Sequence, residues 1–198
     1  ALLATLGFAT PTLAGSSDFS GIWIAGHAEL NVVAISGSAT SGQTATDVGG
    51  ASGASNNHEN TQGTIGGFAP TAGYELGFNF PLGDTFFVTV GFADGGGESA
   101  AIAKVDDHNG TTDVSLHAKN PNWWYIAPSI SIFDNSAVYV KIGQAEAELT
   151  AIGDVTGSPG NIDGDMWGIG TTTIANNGLF IKTEAGAVQY SQFKITGI

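Results

Sequence analysis

Residues 73–93 read GYELGFNFPLGDTFFVTVGFA, and the fold of the chain turns on this stretch. Side chains alternate between the two faces of a β-strand, so the positions are read two at a time. Tyr74, Leu76, Phe78 and Phe80 share one face, with Glu75, Gly77 and Asn79 on the other. After Pro81-Leu82-Gly83-Asp84, Phe86, Val88, Val90 and Phe92 alternate with Phe87, Thr89 and Gly91. An apolar face, a turn built from Pro, Gly and Asp, and a second apolar face predict an antiparallel hairpin.

The same period extends in both directions. Upstream, the even positions of 68–80 begin with Phe68, Pro70 and Ala72, and those of 22–34 are Ile22, Ile24, Gly26, Ala28, Leu30, Val32 and Ala34. Downstream, Trp124, Ile126, Pro128, Ile130 and Ile132 alternate with Trp123, Tyr125, Ser129 and Ser131. Val138, Val140 and Ile142 follow, then a Gly- and Thr-rich strand over 166–174 and a last one from Leu179. The reading predicts seven strands. Pro70 and Pro128 sit inside two of them and predict a bulge or strand end at each, because each lacks a ladder donor.

The face opposite the apolar one is mostly Gly, Ala, Ser and Thr with isolated charges. A solvated sheet face would instead be rich in Lys, Glu and Thr. Several strands also approach the ~9–11 residues that a tilted membrane strand needs, against ~5–6 for a typical soluble strand. Connections alternate in length. Short turns are predicted at 81–84, 134–135 and 176–178, and long polar links at 36–64, 94–120 and 151–165. This is the arrangement of a barrel with tight turns at one end and long loops at the other.

Composition narrows the partners. The chain has 198 residues, a formal net charge of −13, five basic residues and no Cys. It has no cationic surface with which to neutralise phosphates, so nucleic acid is not expected. A closed sheet needs no disulfide staple, because no strand edge is left open. Residues 1–14 (ALLATLGFATPTLA) are apolar and uncharged, and read as the remnant of a secretory signal peptide; residues 15–198 read as one barrel domain.

With GYELGFNFPLGDTFFVTVGFA and IAPSISIFDNSAVYVKIGQAE (126–146) as its clearest stretches, the chain from Phe19 onward resembles the small outer-membrane β-barrel family, which includes the membrane domain of outer membrane protein A. The resemblance implies an all-β, antiparallel, up-and-down transmembrane barrel of eight strands. It also implies a bacterial outer-membrane location, lipid as the main partner and extracellular long loops. Seven strands are visible: the eighth is expected to be missing from this sequence, the alternatives being that the count is one short or that another chain completes the sheet. Two other readings stay open: an exported self-assembling or adhesive β-protein, which would be a homo-oligomer, and a narrow pore for small solutes.

By parity His27, Glu29, Glu75, Lys141, Lys182 and Glu184 fall on the inward face, where burial demands that charges pair. The expectation is a lumen charge network that plugs the barrel. Phe68, Phe80, Phe86, Phe92 and Trp124 are the expected membrane-facing belt. Trp123 and Trp124 must point to opposite faces. Asp154, Asp163 and Asp165 lie in the predicted third long link; NIDGD faintly resembles a calcium loop but lacks the later glutamate. Asp106, Asp107 and His108 are read as a solvated acidic loop. No metal, cofactor or catalytic role is expected, since neither a Cys, a GxSxG nor a phosphate-binding glycine loop is present. The partner of the long loops is not specified by the sequence.

Overall fold

The structure is a computed structural model that describes residues 2–9, 19–41, 59–97, 102–106, 113–133, 135–153, 155–156, 158–193 and 196–197. The chain is all-β. Its strands are β1 (Leu2–Ala9), β2 (Gly21–Ser41), β3 (Glu59–Pro81), β4 (Phe86–Asp94), β5 (Ala103–Asp106), β6 (Asp113–Phe133), β7 (Ser136–Ile152), β8 (Val155–Thr156), β9 (Gly160–Ile174), β10 (Leu179–Tyr190) and β11 (Thr196–Gly197). β8 and β11 pair with each other, and all the rest form one curled antiparallel sheet.

Neighbours in that sheet run β4-β3-β2-β1-β10-β9-β7-β6, and β4 pairs in turn with β6. Eight strands therefore form a ring, with β5 lying beside β6 beyond the end of β4. The ring needs β1. Leu2–Ala9, read above as a leader remnant, pairs with β10 on one side and β2 on the other. The expectation that the eighth strand is absent from this sequence is corrected: the N-terminal segment supplies it. An apolar, uncharged run of this length has the composition both of a leader core and of a strand with an apolar face, so composition did not separate them.

The register fixes the geometry of the ring. From Tyr190 the paired positions are Gly164, Ala145, Trp123, Ala93, Glu75, Ala25, Gly7 and then Phe180, back on β10. One circuit thus shifts the register by ten residues, from 190 to 180. A stagger of ~10 × 3.3 Å over a circumference of ~8 × 4.8 Å tilts the strands by about 40°, and the radius is then about 8 Å. A ring that narrow has room inside for side chains and little else.

Several sequence boundaries move. The predicted links at 36–64, 94–120 and 151–165 are shorter, because β2 and β3 pair out to Ser41 and Glu59, β6 starts at Asp113 and β9 at Gly160. Ladder hydrogen bonds use backbone groups, so pairing continues where the apolar alternation has ended. Neither Pro70 nor Pro128 carries a register shift. Pro70 pairs with Leu30 of β2, above the last β3–β4 pair at Tyr74 and Asp94. Pro128 pairs with Val88, and the β6–β7 register skips it without shifting. The shifts fall instead between Lys119 and Asn122, where Asn120 has φ 46°, and between Ser131 and Phe133.

The inward glycines have a packing reason. Trp23, Tyr125 and Tyr139 each point into the lumen opposite a glycine of the neighbouring strand: Gly77, Gly91 and Gly170. A Cβ on those glycines would lie 2.3, 2.4 and 2.5 Å from the respective ring. Each ring lies across the neighbouring strand where that strand has no side chain.

Candidate functional site

The lumen is occupied at three levels. At the turn end a cluster of Phe19, Trp23, Ala25, Phe87, Ala137, Ile174 and Phe180 is buried, with Phe19 stacked on Phe87 at 5.0 Å and Trp23 edge-on to Phe180 at 5.3 Å. Asn79 ties this level together. Its Oδ1 accepts from Trp23 Nε1 (3.1 Å) and Thr89 Oγ1 (2.7 Å), and its amide donates to the Phe19 carbonyl. At the opposite end Ala69, Ile102, Leu116, Ala147, Leu149 and Ile162 form a second apolar cluster.

Between them lies an ionic layer. Glu75 is fully buried and accepts from Tyr125 Oη at 2.7 Å and from Lys182 Nζ at 3.1 and 3.2 Å. Lys141, also fully buried, stands 3.7 Å from Glu75 and 3.2 Å from Glu184. Glu184 accepts in addition from Tyr139 Oη at 3.0 Å. Two ammonium groups thus meet two carboxylates, with tyrosine hydroxyls filling further acceptor positions. Lys141 Nζ sits 4.1 Å from the centre of the Tyr125 ring, and Lys182 Nζ sits 4.5 Å from that of Trp23. Desolvated cations gain from aromatic faces in this way.

Of the six residues expected to form the lumen network, the structure joins Glu75, Lys141, Lys182 and Glu184. His27 is buried but packs its ring against Trp123, at 5.3 Å, and neither ring nitrogen has a hydrogen-bond partner. Glu29, half-buried, accepts from Asn31 Nδ2 at 3.2 Å. The tyrosines that complete the layer were missed, although their inward parity was readable from the sequence.

The outer face carries the apolar positions. Phe68, Phe80, Phe86, Phe92 and Trp124 are all exposed, as are Ile24, Leu76, Val90, Ile126, Val140, Ile142 and Ile169. The register separates the belt residues by height. Phe80 and Phe86 stand at the turn end, whereas Phe92 and Trp124 pair with each other towards the other end. Phe68 stands further up β3, opposite Val32. Tyr74 and Trp167, which the sequence reading did not assign to the belt, are exposed and lie within about two residues of Phe92 and Trp124 in height once the shear is included. Trp123 and Trp124 point to opposite faces, buried and exposed.

Above that level the outer face turns polar on β4, β6, β7 and β9, whereas Val32 and Phe68 keep it apolar higher up on β2 and β3. Asp94 pairs with Asn122, Asn122 with Glu146, and Glu146 with Asp163. Asp163 and Asp165 therefore lie on β9, facing outwards, and not in a loop. Asp154 lies outside the described residues, as do Asp107 and His108; Asp106 ends β5. No metal-holding group is present among the described residues. No protein-family model, curated protein or solved structure matches the chain.

Proposed function

We propose that this chain is a bacterial outer-membrane barrel with a scaffold or surface-contact role, its lipid-facing belt outside, its lumen plugged and no catalytic part to play. The observation that carries this reading is the outer band of Phe, Ile, Leu, Val and Trp side chains, bounded on β4, β6, β7 and β9 by Asp94, Asn122, Gln144, Glu146, Asp163 and Asp165 and reaching higher on β2 and β3 through Val32 and Phe68. On β6 the band runs from Trp124 to Ile132; at a tilt of about 40° that is roughly 20 Å of height before side-chain reach is added, close to the ~25 Å apolar band of such barrels. No helix of the described residues is long and apolar enough to cross a membrane, so the strands would do so.

Lipid is then the main partner, and the ends of β2, β3, β6 and β7 beyond the band, with the long connections, face the outside of the cell. The three filled levels favour a plug over a pore. The test is to fold the protein with detergent or lipid vesicles and without either. A monomer that needs amphiphile, resists proteolysis and migrates differently on a gel before and after heating supports the proposal. A monomer soluble in plain buffer overturns it, and regular lipid-free oligomers would favour the self-assembling reading.

A further inference from the structure

Phe19 differs from every other member of the turn-end cluster. Trp23, Ala25, Phe87, Ala137, Ile174 and Phe180 belong to the strands that make the wall, whereas Phe19 lies outside any strand, two residues before β2 begins. The chain passes from Phe19 into the wall through Gly21, whose φ is 105°, a left-handed conformation that a side chain disfavours. Phe19 is only 3% exposed, its ring is parallel to Phe87 within 8°, and its carbonyl is held by Asn79.

Behind Phe19 is a cavity. Its lining includes Asn79, Thr89, Ser129, Tyr139, Thr172 and Lys182, so it extends from the Phe19 ring up to the ionic layer. It has room for about two water molecules. Among the described residues this gives a chamber whose lining is more apolar than polar, an aromatic ring at its edge that is not part of the wall, a glycine bend beside that ring and a side-chain amide that latches it.

We propose that Phe19 is a hinged gate, turning at Gly21, that admits water and small solutes from the turn end into a dead-end chamber below the Glu75–Lys182 pair. The wall need not deform: unstacking from Phe87 and release from Asn79 open the mouth. The ionic layer ends the path, so the chamber is a pocket and not a through-channel. The inference does not depend on whether lipid or protein surrounds the barrel.

The chain has no Cys, which allows a direct test. Ser129→Cys places a thiol in the chamber wall. Ala145→Cys places one at a buried lumen position, 1% exposed, in the Trp123–Tyr125 cluster and outside the chamber lining. Each is labelled in the folded protein with a small polar methanethiosulfonate. Ser129→Cys should react measurably faster than Ala145→Cys, and Phe19→Ala should speed it at least ~10-fold while leaving Ala145→Cys unchanged. Gly21→Ala should also speed it, by straining the bend that seats the ring; if Phe19→Ala does not fold, Phe19→Leu should give an intermediate rate. Equal protection of both cysteines in the native background and in Phe19→Ala or Phe19→Leu overturns the gate. Acceleration of both together does so too, because it reports general loosening. Loss of lipid binding with this labelling pattern intact would count against the membrane reading alone.

Discussion

Glu75 is the residue on which the ionic layer converges. It is fully buried and takes hydrogen bonds from Lys182 and Tyr125, with Lys141 at 3.7 Å. Glu75→Gln keeps the shape but leaves the two lysines facing one carboxylate, Glu184. Breaking one partner of a buried pair typically costs ~3–5 kcal/mol, whereas replacing both by apolar groups of similar size can be nearly neutral. Glu75→Gln should therefore lower the urea midpoint of the folded barrel strongly, and Glu75→Gln with Lys182→Met should recover much of the loss. A double variant no more stable than the single one would mean that the contacts, not the unpaired charge, set the effect. The glycines give a second prediction at this scale. Gly91→Ala drives a Cβ into the Tyr125 ring, at 2.4 Å, and should cost about 1–3 kcal/mol. Gly26→Ala, which meets nothing nearer than 3.9 Å, should stay within about 0.5 kcal/mol of wild type in the same unfolding series.

Among the elements, β1 closes the ring. It is eight residues long and is paired on both sides along nearly its whole length. A proline there removes a ladder hydrogen bond from a strand with no free edge. Leu6→Pro should abolish heat-modifiable gel migration and leave β2 and β10 protease-sensitive, while Leu6→Ala keeps both properties. A Leu6→Pro chain that folds and resists protease would show that the other seven strands suffice. Pro70 is tolerated on β3 because no pair with β4 is formed above Tyr74 and Asp94.

These elements also separate what the sequence told from what it withheld. Strands were legible wherever one face is apolar, as at Phe78–Phe80 and Val88–Phe92, because the period of two reports which face is covered. It stops reporting where both faces are polar, so the ends of β2, β3 and β9 were read as loops. The inward charges were legible by parity. Their partners were not: which residue meets Glu75 depends on a ten-residue shear that no local pattern contains. Phe19 was invisible for a related reason, since a residue outside the strands has no parity to read.

For the whole molecule, the question is what covers the outer band. Hydrocarbon makes the cost of a charge depend on depth: Arg costs ~2–4 kcal/mol near the middle of a barrel's apolar band and ~0–1 kcal/mol near its edges. Val140, 50% exposed and paired with Ile169, lies near the middle of the band, and Asp165, outward on β9, lies beyond its polar edge. In lipid vesicles Val140→Arg should therefore lose about 2–4 kcal/mol of unfolding free energy, and Asp165→Arg about 0–1 kcal/mol. An outward arginine leaves the ionic layer, the aromatic–glycine pairs and the ladder untouched, so lumen packing cannot produce the difference. In an assembly held by protein contacts, the penalty would follow the buried interface and not the height along the barrel. Equal and small losses at both positions, measured in lipid, would remove hydrocarbon from the account of the outer face.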